Sequence, residues 1–177
     1  MPRLLPPRTV IERRANGVWY AQSPYPLGPY PRQITERLEH WAQHEPGRPF
    51  LARRDRSGRW RRISYGQALD TVRSLAQALL DRSLSVERPL VILSGNSIEH
   101  ALLALAAMYV GVLYAPIAPA YSLLAREYTT LKGIWTSMTP GLVFASDGEP
   151  FHAALAAACP ASTEIVTCSP PESFRST

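Results

Sequence analysis

At 177 residues the chain is long enough for one α/β domain with a real core, and a hydrophobic fraction of 46% argues against disorder. No run is long and apolar enough to span a bilayer, and Pro6-Pro7-Arg8 interrupts what a secretory signal needs, so a cytoplasmic protein with no membrane partner is expected. The net charge of +5 comes almost wholly from arginine, with Lys132 the only lysine, and Cys159 and Cys168 fit no zinc spacing and are expected to stay reduced.

Residues 1–33 are rich in proline and aromatics without a period, as in Pro24-Tyr25-Pro26 and Gly28-Pro29-Tyr30-Pro31. An extended arm on the surface of the main domain is expected, anchored by Trp19, Tyr20, Tyr25 and Tyr30. A proline-rich ligand for a partner module is the alternative.

Ile34 to His44 reads as a first helix, capped by Thr35, with Leu38, Trp41 and Ala42 in its apolar stripe and Pro46-Gly47 as its stop. His40 and His44 stand four apart, which would suit a metal on one helix face. No zincin Glu follows His40 and no third ligand is evident, so structural histidines are expected and no metal site is assigned.

Pro49 to Ile63 reads as a hairpin with its turn at Ser57-Gly58. It carries six arginines and Trp60 between Arg53 and Arg62. Basic and aromatic residues together suit phosphate contact and base stacking. No RNP, KH or helix-turn-helix pattern lies nearby, so an exposed edge kept soluble by charge is preferred and no nucleic-acid partner is expected.

Ser64 and Gln67 form a capping box that opens a second helix, with Leu69, Val72, Leu75, Ala76, Leu79 and Leu80 at helical spacing. Leu90-Val91-Ile92-Leu93 is apolar without alternation, as in a buried parallel strand. Asn96 with Glu99 resembles the next capping box, Ile98 to Tyr109 has high helix propensity, and Gly111 suits the left-handed position that ends the helix. Val112 to Ile117 is a second short strand. A right-handed parallel strand–helix–strand unit is expected.

A further helix is expected from Ser122, its cap, to about Met138, with Leu124, Tyr128, Leu131 and Trp135 in its stripe. Leu142 to Ala145 reads as a strand, Asp147-Gly148-Glu149 as a turn, Pro150 to Ala158 as a helix and Ile165-Val166 as a strand. Ser169 to Thr177 is polar and expected to fray. The alternation from Leu90 onward predicts an α/β fold: a mostly parallel sheet with helices on both faces.

Motifs for chemistry are sparse. Ser94-Gly95-Asn96-Ser97 is a strand-to-helix turn whose N–H groups could meet an anion, though plain capping explains it. There is no Walker motif, GxSxG, HExxH or telling pair of carboxylates, so no catalytic, cofactor-binding or metal-binding residue is assigned.

Resemblance says more. Ile63-Ser64-Tyr65-Gly66-Gln67-Ala68-Leu69 and the run Met108 to Pro119 (MYVGVLYAPIAP) resemble the first two core motifs of adenylate-forming enzymes, the superfamily of AMP-dependent synthetases and ligases. Leu93 to His100 (LSGNSIEH) is similar to it as well. Ser23 to Ile34, with Leu38-Glu39-His40-Trp41-Ala42, resembles feruloyl-CoA synthetases more narrowly.

The resemblance implies an acyl-CoA synthetase that joins a carboxylic acid, aromatic such as ferulate, to AMP and passes the acyl group to coenzyme A. ATP, Mg2+ and CoA are the implied cofactors. The family's phosphate-binding loop ending in Lys, its Thr-Glu pair, its ribose-binding Asp and its catalytic Lys have no counterpart in these residues, and Lys132 lies in no matching motif. The chain is therefore expected to be the front part of the large N-terminal domain (residues 34–168, between the 1–33 arm and a 169–177 tail). It is expected to be inactive alone and to partner with a missing downstream part of the same enzyme. Two departures stand out: Ser83 occupies a usual Gly position and is expected to strain its turn, and Leu113 occupies a position where Pro is common. Ala118 to Tyr121 could approach an acyl pocket. A non-catalytic remnant ranks second and an arginine-rich nucleic-acid-binding module third.

Overall fold

The computed structural model describes residues 8–55 and 57–169, in two compact units divided between Arg32 and Gln33. Met1 to Pro7, Arg56 of the basic hairpin and all of the expected frayed tail but Ser169 lie outside the described residues.

In the first unit, part of the segment expected as an extended arm forms a hairpin. Val10–Arg13 (β1) and Trp19–Gln22 (β2) pair antiparallel, with Gly17 at φ 81 in the connection. Trp19 and Tyr20 take partners inside this hairpin: the Arg13 and Arg14 guanidiniums lie 5.5 and 3.6 Å from their ring centroids.

In the second unit, Thr35–His44 forms α1, Pro49–Arg54 and Trp60–Ser64 form the antiparallel pair β3–β4, and Tyr65–Asp81 forms α2. Then follow Leu90–Leu93 (β5), Ile98–Val110 (α3), Tyr114–Ile117 (β6), Thr129–Met138 (α4), Leu142–Ala145 (β7), Gly148–Ala158 (α5) and Glu164–Thr167 (β8). The last four strands make one parallel sheet in the order β6-β5-β7-β8.

Alternation along β5 explains why every one of its residues is apolar. Leu90 and Ile92 join one core with α2, α3 and the β7 residues Leu142 and Phe144. Val91 and Leu93 join a second core on the opposite face with Leu131 and Trp135 of α4 and Phe151, Ala154 and Leu155 of α5. Helices therefore cover both faces, as the strand–helix alternation predicts. All four β5 side chains are fully buried, and each contributes roughly 1.5–3 kcal/mol of apolar transfer.

The helix ends show which local signals hold. Ser64 and Gln67 make the reciprocal capping box of α2. Gly111 ends α3 at φ 73, and the Val112 N–H donates to the Ala107 carbonyl at 2.9 Å. Ser83 is left-handed at φ 53, as the departure from glycine implied.

Other ends differ from expectation. α3 is capped by Ser97, whose hydroxyl accepts from the His100 N–H at 3.0 Å, and not by Asn96. A start one residue later buries both Ile98 and Leu102. Thr35 does not cap α1; Ile34 holds the N-cap position without a side-chain bond, and the Thr35 hydroxyl is buried with no partner. The expected helix over 122–138 is broken: Ala120–Leu124 forms a π-helical turn and α4 starts after Tyr128, which is left-handed at φ 51. Leu124 is 80% exposed, so continuing the helix through it would gain no burial. Ser122 is buried inside that π-helical turn. Val112 and Leu113 lie before β6 and not in it. Gly148 and Glu149 belong to the first turn of α5 with Asp147 at its N-cap, so no separate turn forms there.

Candidate functional site

In an open parallel sheet, ligands gather at the carboxyl ends of the strands where the chain switches direction across the sheet. That point here lies between β5 and β7. The connection from β5 runs through α3 to β6 on one side, and that from β7 runs through α5 to β8 on the other. The loops leaving β5 and β7 diverge and open a cleft of about 1130 Å³.

Three strand ends and the β3–β4 hairpin line it. Ser97, Ile98 and Glu99 follow β5; Ser146, Asp147, Glu149 and Pro150 follow β7; Cys168 and Ser169 follow β8. The hairpin adds Arg53, Arg54, Asp55 and Arg61. The Arg61 guanidinium forms an ion pair with Glu99, tying the hairpin to the start of α3. A smaller cavity of about 340 Å³ adjoins, between β3 and α3, and shares Arg53, Ser97 and Ile98 with the cleft.

Burial pushes the Glu99 carboxyl up, but the backbone N–H at the helix start, the Arg61 guanidinium and the Ser97 hydroxyl outweigh it, so the group stays below its ordinary value. Burial also pushes the Cys168 thiol up, Glu99 and Asp147 add to this, and Arg61 opposes it. Cys168 is thus held in its protonated form at neutral pH and is a poor nucleophile.

Among the described residues the cleft sets three arginines against four carboxylates, Asp55, Glu99, Asp147 and Glu149. That balance does not fit a triphosphate, whose charge needs an excess of cations. Among the described residues no group of three His, Cys, Asp or Glu is placed to hold a metal. What the arrangement can do is hold and orient a polar ligand against fixed charges.

The residues singled out in the sequence are placed as follows. The Ser94 hydroxyl donates to the Gly95 carbonyl at 2.8 Å, the Ser97 hydroxyl is taken by capping, and Gly95 has no positive φ, so nothing in this turn demands glycine for an anion. His40 and His44 stack with ring centroids 4.1 Å apart, and His44 Nδ1 lies 2.7 Å from the His40 carbonyl. Lys132 is exposed on α4, away from the cleft. Ala118 to Tyr121 leads into the π-helical turn and lines neither cavity. Both cysteines are free thiols. The Arg61–Glu99 pair and the convergence of Ser146, Asp147 and Cys168 join residues that no sequence motif links. The polar run Ser146-Asp147 directly after an apolar strand was the one local signal for them.

A two-faced parallel sheet with a cleft at its switch point defines a ligand-binding α/β domain. The AMP-binding enzyme family matches residues 38–172, and the chain belongs to that family. No curated protein matches it. Among solved structures it is similar to a fatty acyl-adenylate ligase from L. pneumophila in complex with acyl adenylate and pyrophosphate, with 14% identity, a TM-score of 0.61, and coverage of 76% of this chain and 23% of that one. It is similar to VinN in complex with L-aspartate (17%, TM-score 0.61, 77% and 35% covered) and to the Klebsiella oxytoca NpsA N-terminal subdomain in complex with 3-hydroxyanthranilyl-AMSN (15%, TM-score 0.57, 76% and 30% covered). At such identities the likeness is one of fold, that of the N-terminal domain of adenylate-forming enzymes. The chain spans between 23% and 35% of the length of these structures. Among the described residues no helix is long and apolar enough to cross a membrane.

Proposed function

We propose that the chain is the N-terminal part of an ATP-dependent acyl-CoA synthetase. In that reaction a carboxylate attacks the α-phosphate of ATP, giving acyl-AMP and pyrophosphate, and the CoA thiol then attacks the acyl carbon and releases AMP. The family match over residues 38–172, laid on a sheet with an open cleft at its switch point, is the observation that carries this reading.

An aromatic acid such as ferulate is proposed on the resemblance of Ser23–Ile34 and Leu38–Ala42 to feruloyl-CoA synthetases. In this reading residues 34–168 are part of the ligase's large domain, flanked by a 1–33 arm and a 169–177 tail. ATP, Mg2+ and CoA serve the whole enzyme, and the phosphate loop and catalytic Lys come from a downstream part. The reading places the enzyme in the cytoplasm, where two free thiols are at home.

A second reading, a non-catalytic remnant, draws on exposed apolar side chains: Ile165 and Val166 on the edge strand β8 are each 37% exposed, and Leu124 in the π-helical turn is 80% exposed. The intact mass of the native product separates the two. A mass well above 19.6 kDa supports the ligase, and one near 19.6 kDa supports the remnant. In parallel, the 177-residue chain is incubated with ATP, Mg2+ and ferulate. No pyrophosphate release is expected; measurable release would show that the catalytic groups are present in this chain and overturn the division of labour proposed here.

A further inference from the structure

The β3–β4 hairpin has an outer face of which the cleft takes only Arg54. Its register sets Arg54 opposite Trp60 and Ala52 opposite Arg62, so these four residues share one side. Leu51, Ile63, Arg53 and Arg61 share the other, where Leu51 and Ile63 pack on the core and Arg61 meets Glu99. The first side is open: Trp60 is 51% exposed, with the Arg54 guanidinium 5.0 Å from its ring centroid.

The charges on the two sides are used differently. Arg59 and Arg61 have carboxylate partners, Asp55 and Glu99. Arg53, Arg54 and Arg62 have no ion pair among the described residues. An edge kept soluble by charge needs cations but no large exposed ring set among them. An acidic peptide would satisfy the guanidiniums and leave the ring idle, and a duplex would hide its base faces. A ring flanked by guanidiniums without carboxylate partners suits a base stacked on the ring with phosphates beside it.

We propose that the outer face of the β3–β4 hairpin, Arg54, Trp60 and Arg62, binds single-stranded nucleic acid without sequence preference. A two-residue step along β4 sets Trp60 and Arg62 roughly 7 Å apart, so one strand can engage both. Arg54 also borders the cleft, where a bound strand would meet the cleft's rim. The inference is independent of the ligase reading.

Fluorescence anisotropy of a short labelled single-stranded oligonucleotide with the 177-residue chain tests it. Binding at low salt is expected, with a duplex of equal length bound more weakly. Trp60→Ala should weaken binding by roughly tenfold or more, and Trp60→Phe should retain it. Arg54→Gln and Arg62→Gln should each lower the slope of log affinity against log salt by about 0.7. These arginines are exposed, so the two variants keep the test open if Trp60→Ala fails to fold. Absence of binding at low salt overturns the proposal. So does binding that Trp60→Ala and both arginine variants leave unchanged, or that a free mononucleotide displaces as well as the oligonucleotide does.

Discussion

Ser83→Gly should stabilise the protein. Helix α2 ends in a Schellman motif: the Ser83 N–H donates to the Leu80 carbonyl at 2.8 Å, and the Leu84 N–H donates to the Leu79 carbonyl at 3.3 Å. Leu79 and Leu84 are both buried in the same core, which completes the motif's apolar contact. The motif requires a left-handed residue at its turn, and Ser83 supplies φ 53 with a Cβ that clashes there. That conformation costs a non-glycine residue about 1–2 kcal/mol. Glycine removes the clash but adds about 0.5–1 kcal/mol of unfolded-chain entropy. The net gain is about 0.5–1 kcal/mol, or about 1–4 °C in melting temperature for a domain of this size.

Thermal unfolding followed by circular dichroism is the assay, with Ser83→Ala as the control. Alanine keeps the Cβ and therefore the strain, so its melting temperature should stay near that of the parent. A Ser83→Gly variant that melts at or below the parent temperature, with an unchanged native spectrum, would refute the account of this turn.

Two further predictions concern the charged contacts. The Tyr109 hydroxyl donates to Glu39 at 2.6 Å and the Arg73 guanidinium meets the same carboxylate at 3.3 Å, joining α1, α2 and α3, and the Tyr109 bond is the first cause of the lowered Glu39 pKa. Tyr109→Phe should cost about 1 kcal/mol, a charged hydrogen bond discounted for a partly exposed carboxylate. Because the folded pKa is depressed, this contribution is present above the unfolded value near 4.3 and is lost as pH falls through the folded one, so the variant should show a shallower loss of stability in acid. In the cleft, Glu99→Gln removes a negative charge that raises the Cys168 pKa. In a Cys159→Ser background, iodoacetamide should then modify Cys168 faster at mildly alkaline pH, and an unchanged rate would place the two side chains further apart than described.

What was legible in the sequence was local. Ser64 and Gln67 cap each other within four residues, Gly111 is the residue its turn needs, and the unbroken apolar run of β5 could only be buried on both faces. Where the reading failed, two residues competed or the decisive contact was distant. Asn96 and Ser97 can both cap, and burial of Ile98 and Leu102 decides between them. Nothing in Leu124 to Tyr128 marks a break, because a left-handed tyrosine carries no glycine or proline signal. The cleft was least legible of all: Arg61 and Glu99 are far apart in sequence, and no spacing rule joins a hairpin strand to a helix start.

The charge balance of the cleft bears on what this part of the fold contributes. In the ligase reaction proposed above, transfer of an adenylyl group builds negative charge on phosphate oxygens, and catalysis depends on fixed cations aimed at them. Here Arg61 is engaged by Glu99 and Asp147 and Glu149 lie close by, so the field at the strand ends is near neutral. Such a surface positions a ligand without driving its chemistry. The divergence of the β5 and β7 loops gives the opening, and on the proposed ligase reading the cations for that chemistry come from groups other than the ones that line it.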